Sequence, residues 1–261
     1  MTAVALLGPR RTLRVVERNV RSYVRMWPAF VSGFVEPIFY LFSIGIGVGE
    51  LVGDLPGPGG DLVSYRAFVA PAMLASAAMN GTVFDTTFNF FFKYKYAKTF
   101  DGMLATPLGV ADVARGELVW ALVRGGIYSA VFLLTMLALG LVDSWWAVLA
   151  LPAAVLIGFA FAGAGLGLTT YMRSFTDFAY VGLVITPLFL FSATVFPLDQ
   201  YPPAAEWVVR ATPLYQGVAL ERALILGSPS WALLGHALYL AVMGWAGLRL
   251  ATKRLGVLLQ P

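Results

Sequence analysis

The chain has 261 residues, of which 59% are hydrophobic and only 12% charged. A soluble domain carries about 25% charged residues, so this composition excludes an ordinary soluble fold and points to a membrane protein. Cysteine is absent, which excludes disulfides and thiolate chemistry, and the formal charge of +4 acquires meaning only when the charges are placed along the chain.

Residues 1–28 carry a basic region, Arg10 to Arg25, ahead of an apolar stretch of full spanning length with no small-residue cleavage pattern. That is not the layout of a removable signal peptide. Two stripes interleave at spacings of three and four: Leu13, Val16, Val20, Tyr23 and Trp27, and Arg11, Arg14, Arg18, Arg21 and Arg25. The spacing predicts an amphipathic helix lying on the membrane surface, its arginines toward lipid phosphates or a protein partner, or acting as an anchor alone.

A span needs about 20 apolar residues to cross about 30 Å of hydrocarbon. Six such stretches run over 30–49, 66–92, 118–141, 146–171, 178–197 and 231–250. Aromatics of the headgroup level flank them, among them Trp27, Tyr65, Trp120, Trp145, Trp146, Tyr171 and Trp231. Of the 18 Lys and Arg residues, the side shared with the N-terminus takes 15, leaving Arg66, Arg210 and Arg222 on the other. The positive-inside rule then places both termini in the cytoplasm, with the chain in the cell inner (plasma) membrane.

Between the first two spans, Glu50 to Asp61 is rich in glycine and proline and reads as a mobile outer loop. The preceding Gly45-Ile46-Gly47-Val48-Gly49 ends an apolar span, so it suits helix packing or termination better than a nucleotide loop. The segment 93–117, between spans two and three, is charged and holds Lys93, Lys95 and Lys98. Within it Phe100, Met103 and Leu104 are apolar and Asp101 polar, a short amphipathic helix stopped at Thr106-Pro107. In the fourth span Gly158, Ala162, Gly163, Gly165 and Gly167 permit close helix contact, within the subunit or across a dimer. Residues 198–230 are too polar and proline-broken for a seventh span. They predict two short helices, 203–211 and 214–226, dipping into the outer leaflet or forming a simple outer hairpin.

Charges inside spans cost about 2.5–3.5 kcal/mol each on insertion scales and need a reason. Glu36, Asp85 and Arg124 fall at one depth on the first three spans, about 9–11 Å from the basic edge. They predict a neutralising cluster, either a fixed ion pair or an inner gate that meets a polar headgroup. Asp112, Arg115 and Glu117 are expected at the membrane interface. Phe34, Phe39 and Phe42 in span one and Phe84, Phe88, Phe91 and Phe92 in span two repeat at helical spacing, facing lipid or a dimer axis. The single histidine, His236, lies within the last span and reads as a polar group satisfied by a neighbouring helix rather than a ligand. No G-x-x-x-x-G-K-[ST] run is present, so no ATP site is expected in this chain.

Two stretches resemble the transmembrane subunits of ABC-2 type exporters: residues 100–120, FDGMLATPLGVADVARGELVW, and residues 192–227. The second supplies Phe196-Pro197-Leu198, Pro213-Leu214-Tyr215, Glu221-Arg222 and Leu226-Gly227. Within that family the first stretch looks most like the nodulation-factor and daunorubicin-type exporter permeases. Asp101 stands where many relatives carry Glu, and Ala193 where Gly is common before the turn.

The resemblance implies a single transmembrane domain over 1–261, an all-α polytopic fold of six helices. Residues 97–108, with Phe100, Asp101, Gly102, Met103, Leu104, Thr106, Pro107 and Leu108, would be the coupling helix that docks on a separate ATPase. The N-terminal helix would touch that ATPase too. Two permeases would pair as a homodimer above two ATPase copies, which hold the ATP and Mg; this chain would hold neither cofactor nor metal. The substrate, an amphiphile such as a lipid-linked saccharide or a hydrophobic drug, would pass between the permeases along spans one, two and five. The outer helices would cap the exit, and nucleic acid is not a partner. The alternative is a membrane-embedded lipid-modifying enzyme, with a passive channel third.

Overall fold

The computed structural model describes residues 3–24, 39, 41–43 and 47–259. The expected first span, 30–49, therefore lies largely outside the described residues. Nine helices of six residues or more are described. In chain order they are α1 (Ala3–Val24), α2 (Tyr65–Tyr96), α3 (Thr99–Leu104), α4 (Val110–Ala138), α5 (Trp145–Thr169), α6 (Phe178–Leu190), α7 (Pro203–Ala211), α8 (Pro213–Ile225) and α9 (Ala232–Leu259). Four of them, α2, α4, α5 and α9, are long and apolar enough to cross a membrane.

Local chemistry sets several helix ends. Ser64 Oγ accepts from Ala67 N at 3.3 Å and caps α2, and Thr212 Oγ1 accepts from Tyr215 N at 3.3 Å ahead of Pro213, the first residue of α8. Behind α4, Gly140 takes φ of +67°, the left-handed conformation that closes a helix and that glycine adopts without a steric penalty. α4 begins at Val110, eight residues before the apolar stretch itself, because Gly109 N bonds Asp112 Oδ2 at 3.1 Å and nucleates the helix in the polar segment. The loop before α2 is more ordered than its composition suggests. Asp54–Pro56 and Leu62–Ser64 pair as a two-stranded antiparallel hairpin, closed by a Gly57–Asp61 turn.

α5 is the hub of the bundle and touches α2, α4, α8 and α9. Its glycines make those contacts inside the subunit. A methyl on Gly163 would run into the Gly244 carbonyl oxygen, and one on Gly167 would meet the Gly247 oxygen at 3.3 Å, both on α9. On its other side, Gly158 leaves room for Thr82 and Gly165 for Thr86, both on α2. Backbones approach this closely only where side chains are missing, so the small residues fix the packing of α5.

α2 is α-helical to Phe84, then π-helical over Asp85–Asn89 and again over Phe92–Tyr96. Such wide turns concentrate at functional sites. α6 differs from the other apolar helices: none of its 13 residues is buried against the described chain. It ends at Leu190, short of the expected 197, where residues 191–196 leave the helix in turns and Ala193 O is held by Arg222 of α8.

Candidate functional site

The turn between α2 and α3 is sharp. Lys98 takes φ of +48°, and α3 follows at once, in contact with the end of α2 and with α4. Phe100 is fully buried with its ring 4.9 Å from that of Phe90, and Met103 is buried beside Val15, Val110 and Val113. Burying a Phe of this size contributes about 1.5–3 kcal/mol toward seating α3. Asp101, Gly102, Thr106 and Pro107 face outward, with Leu104 and Leu108 half-buried at the margin. The apolar side predicted for contact with another protein is thus an inward anchor at Phe100 and Met103. The free side is polar and flat: a Cβ on Gly102 would meet nothing within 4 Å.

α1 lies against α4 on a face that the sequence stripes do not pick out. Val15 and Asn19 are buried, while Leu13 and Val20 of the expected apolar stripe are exposed. The cause is a tight crossing, for a Cβ on Gly116 would come 2.5 Å from Val15 Cβ. Arg14, Arg18 and Arg21 are exposed, Arg11 is half-buried, and Arg25 lies outside the described residues. Glu17 bridges Arg14 at 3.4 Å and Arg21 at 2.6 Å on the free face.

Of the three intramembrane charges, Asp85 and Arg124 meet: Nη1 lies 2.6 Å from Oδ1, and both side chains are buried. Glu36 lies outside the described residues. The pair sits in a wider polar cluster. Tyr23 of α1 donates its hydroxyl to Asp85 Oδ1 at 3.2 Å and accepts from Asn89 at 2.7 Å and Arg124 at 3.2 Å. Arg124 Nε donates to Tyr128 at 2.9 Å, and its guanidinium lies 5.1 Å from the Tyr23 ring and 5.3 Å from the Tyr128 ring. Burial first, and Asp85 beside it, push the Tyr23 phenol above its ordinary range against the pull of Arg124, so the hydroxyl keeps its proton.

A second charge pair lies nearer the α3 end. Lys93 Nζ is 2.7 Å from Glu117 Oε2, and Asn19 accepts from Lys93 at 3.2 Å and donates to Glu117 at 3.0 Å. Glu117, expected at the membrane interface, is buried by this contact. The sequence reading places Tyr23 in the apolar stripe of α1 and does not single out Asn19 or Asn89. The usable signal is an asparagine and a tyrosine four residues apart on one face of a basic helix, the spacing that stacks side chains.

At the opposite end of the bundle, α8 rises between α2, α5 and α9. Arg222 Nη2 donates to Ala193 O at 2.8 Å and Nε to Phe68 O at 3.2 Å, with the guanidinium 3.8 Å above the Phe68 ring. Its neighbour Glu221 is fully buried, and neither carboxyl oxygen has a hydrogen-bond partner among the described residues. Ala193 takes φ of +53°, at the position noted above as more often glycine. Phe196 is exposed, Pro197 is buried, and Pro213 and Tyr215 are half-buried. Tyr215 meets the His236 ring edge-on at 6.4 Å, and His236 Nδ1 is hydrogen-bonded to Gln216 of α8.

The family described as ABC-2 type transporter matches residues 10–226. Nodulation protein J of Rhizobium leguminosarum bv. trifolii is 35% identical over 225 residues, covering 85% of this chain and 84% of that protein. Nodulation protein J of Rhizobium meliloti (strain 1021) is 33% identical over 220 residues, covering 83% and 82%. The counterpart from Bradyrhizobium diazoefficiens is 32% identical over 248 residues, covering 92% of each. The match takes in α1, the α3 turn, the buried charge pairs and the α7–α8 segment, and the chain belongs to the ABC-2 type transporter family.

Proposed function

We propose that the chain is the permease subunit of an ATP-driven exporter, working as a homodimer with two copies of a separate ATPase and with both termini in the cytoplasm. The observation that carries this reading is the build of α3. It is a short helix anchored into the bundle by Phe100 and Met103, with Asp101, Gly102, Thr106 and Pro107 turned outward at the end where Lys93, Lys95 and Lys98 gather. A helix so seated passes a push from a partner directly into α2 and α4, between which it is strung.

The outward rim of α3 docks on the ATPase, and the exposed arginines of α1 flank it. A second copy covers α6, whose apolar residues Tyr180, Leu183 and Val184 are exposed in the single subunit. Phe84 and Phe92 of α2 and Phe39 and Phe42 of the first span are exposed as well, while Phe91 is buried. The exposed rings line a path suited to an amphiphile, such as a lipid-linked saccharide or a hydrophobic drug, between the two copies. The Asp85–Arg124 pair serves as a fixed structural element: Arg124 is engaged by Asp85, Tyr23 and Tyr128, and Asp85 Oδ1 takes Arg124, Tyr23 and Asn89, while Asp85 Oδ2 is buried with no partner among the described residues.

The test is reconstitution in lipid vesicles with a Walker-motif ATPase that co-purifies with the chain, using a fluorescent acylated chitin oligosaccharide and daunorubicin as probes. ATP-dependent movement of either probe, absent without the ATPase, is expected. Movement at full rate by the permease alone would overturn the assignment.

A further inference from the structure

Asn19 and Tyr23 stand one turn apart on the face of α1 that also buries Val15. Each side chain sits between one acid and one base drawn from two different helices. Tyr23 meets Asp85 of α2 and Arg124 of α4, while Asn19 meets Lys93 of α2 and Glu117 of α4. The charges are therefore crossed: acid on α2 and base on α4 in one rung, base on α2 and acid on α4 in the other.

Crossing has a mechanical consequence. Sliding α2 along α4 by one rung would bring Asp85 opposite Glu117, or Lys93 opposite Arg124, like charge against like in a buried place. A slip is thus opposed in either direction, and the register of the hairpin that carries α3 is fixed. The groups at the rung centres are of the one kind that fits. A hydroxyl and a carboxamide each donate and accept, so each can bond an acid and a base at once.

We propose that Asn19 and Tyr23 are positioning residues that bind α1 to α2, α3 and α4 as one rigid unit, so that displacement of α3 carries the four helices together. This rests on the exporter reading for the source of the push. The unit does not open between α1 and the hairpin at any step of the cycle; movement occurs at its outer boundary, where a second copy meets it.

This chain has no cysteine, so an introduced pair supplies its only thiols and bridging within it is read on the permease itself. In the permease–ATPase complex in lipid vesicles, a Val15→Cys/Val113→Cys pair, drawn from the apolar cluster that α1 shares with α4, is bridged with a short bifunctional thiol reagent, leaving both rungs in place. The bridging rate is expected to be equal in the nucleotide-free and vanadate-trapped states. A rate that falls on trapping means that α1 parts from α4 and overturns the proposal. A second measurement uses hydrogen exchange of the α1 amides in the purified permease. Lys93→Glu and Glu117→Lys alone should each raise exchange about tenfold, the effect of one lost charged hydrogen bond. The double swap restores opposite charges around Asn19 and should return exchange to its starting level. If the double swap exchanges as fast as the singles, the rungs do not hold α1. Should no ATPase assemble on the unaltered chain, the exporter reading fails, while the exchange result on the permease still decides the rung.

Discussion

Arg124 Nη1 stands 2.6 Å from Asp85 Oδ1, with the two side chains 8% and 3% exposed. A charge pair this deep is held by geometry, and its loss is asymmetric. Asp85→Ala leaves the guanidinium buried with only neutral partners, which costs about 3–5 kcal/mol. Removing both charges with residues of similar volume, Asp85→Leu with Arg124→Met, should recover most of that. Thermal unfolding in detergent of Asp85→Leu, Arg124→Met and the double gives the interaction energy. Simple additivity of the two losses would mean that the pair holds nothing together.

The outward face of α3 gives a sharper prediction about docking. Gly102 has open space around it, so Gly102→Trp should leave the unfolding temperature of the permease unchanged while abolishing co-purification of the ATPase. Met103→Asp is expected to do something different. It puts a carboxylate into the cluster of Val15, Val110 and Val113 and should destabilise the subunit by several kcal/mol, roughly the cost of an unpaired buried charge. Retention of the ATPase by the Gly102→Trp chain would show that this face is not the docking surface.

The glycines of α5 separate packing from surface. Gly163→Ala forces a methyl onto the Gly244 backbone, which a flexible side chain cannot relieve, and should cost about 3 kcal/mol. Gly182→Ala, on the unburied α6, should meet no obstacle and stabilise the subunit by up to about 1 kcal/mol through helix propensity. Gly182→Trp is then expected to leave the monomer folded and to weaken self-association, read by light scattering in detergent. If Gly182→Trp self-associates as the unaltered chain does, the second copy does not sit on α6.

Much of this is legible in the sequence. Hydropathy and the spacing of prolines give α2, α4, α5 and α9 and the two short helices, since a bilayer imposes length and proline imposes breaks. The depth of Asp85 and Arg124 follows from counting residues along two helices, and it brings the pair together. Side selection on α1 does not follow. Leu13 and Val20 form the more regular stripe, yet Val15 is buried, because Gly116 on another helix is what admits it. The inward turn of Met103 is hidden for the same reason: which side of an amphipathic helix is covered depends on where the chain reverses, at the left-handed Lys98. The π-helical turn at Asp85–Asn89 carries no sequence mark of its own, so the convergence of Asp85 and Asn89 on Tyr23 required the fold.

At the far end of the bundle, Arg222 and Glu221 are adjacent and opposite in character. Arg222 joins two carbonyls and stacks on Phe68, three contacts that a planar fork makes and an ammonium does not. Arg222→Lys should therefore cost about 2 kcal/mol or more, the range for a charged hydrogen bond lost in a buried site. Glu221 bonds to nothing among the described residues, so Glu221→Gln, equal in size and unable to ionise, should leave stability unchanged or raise it. Ala193, whose carbonyl Arg222 holds, pays the steric cost of a left-handed backbone. Ala193→Gly should stabilise the chain by about 1 kcal/mol where the arginine is present. Unfolding of the three variants in detergent checks the set. A Glu221→Gln loss as large as that of Arg222→Lys would mean that the carboxylate holds a partner of its own, and that the order of importance along α8 is the reverse of the one argued from these contacts.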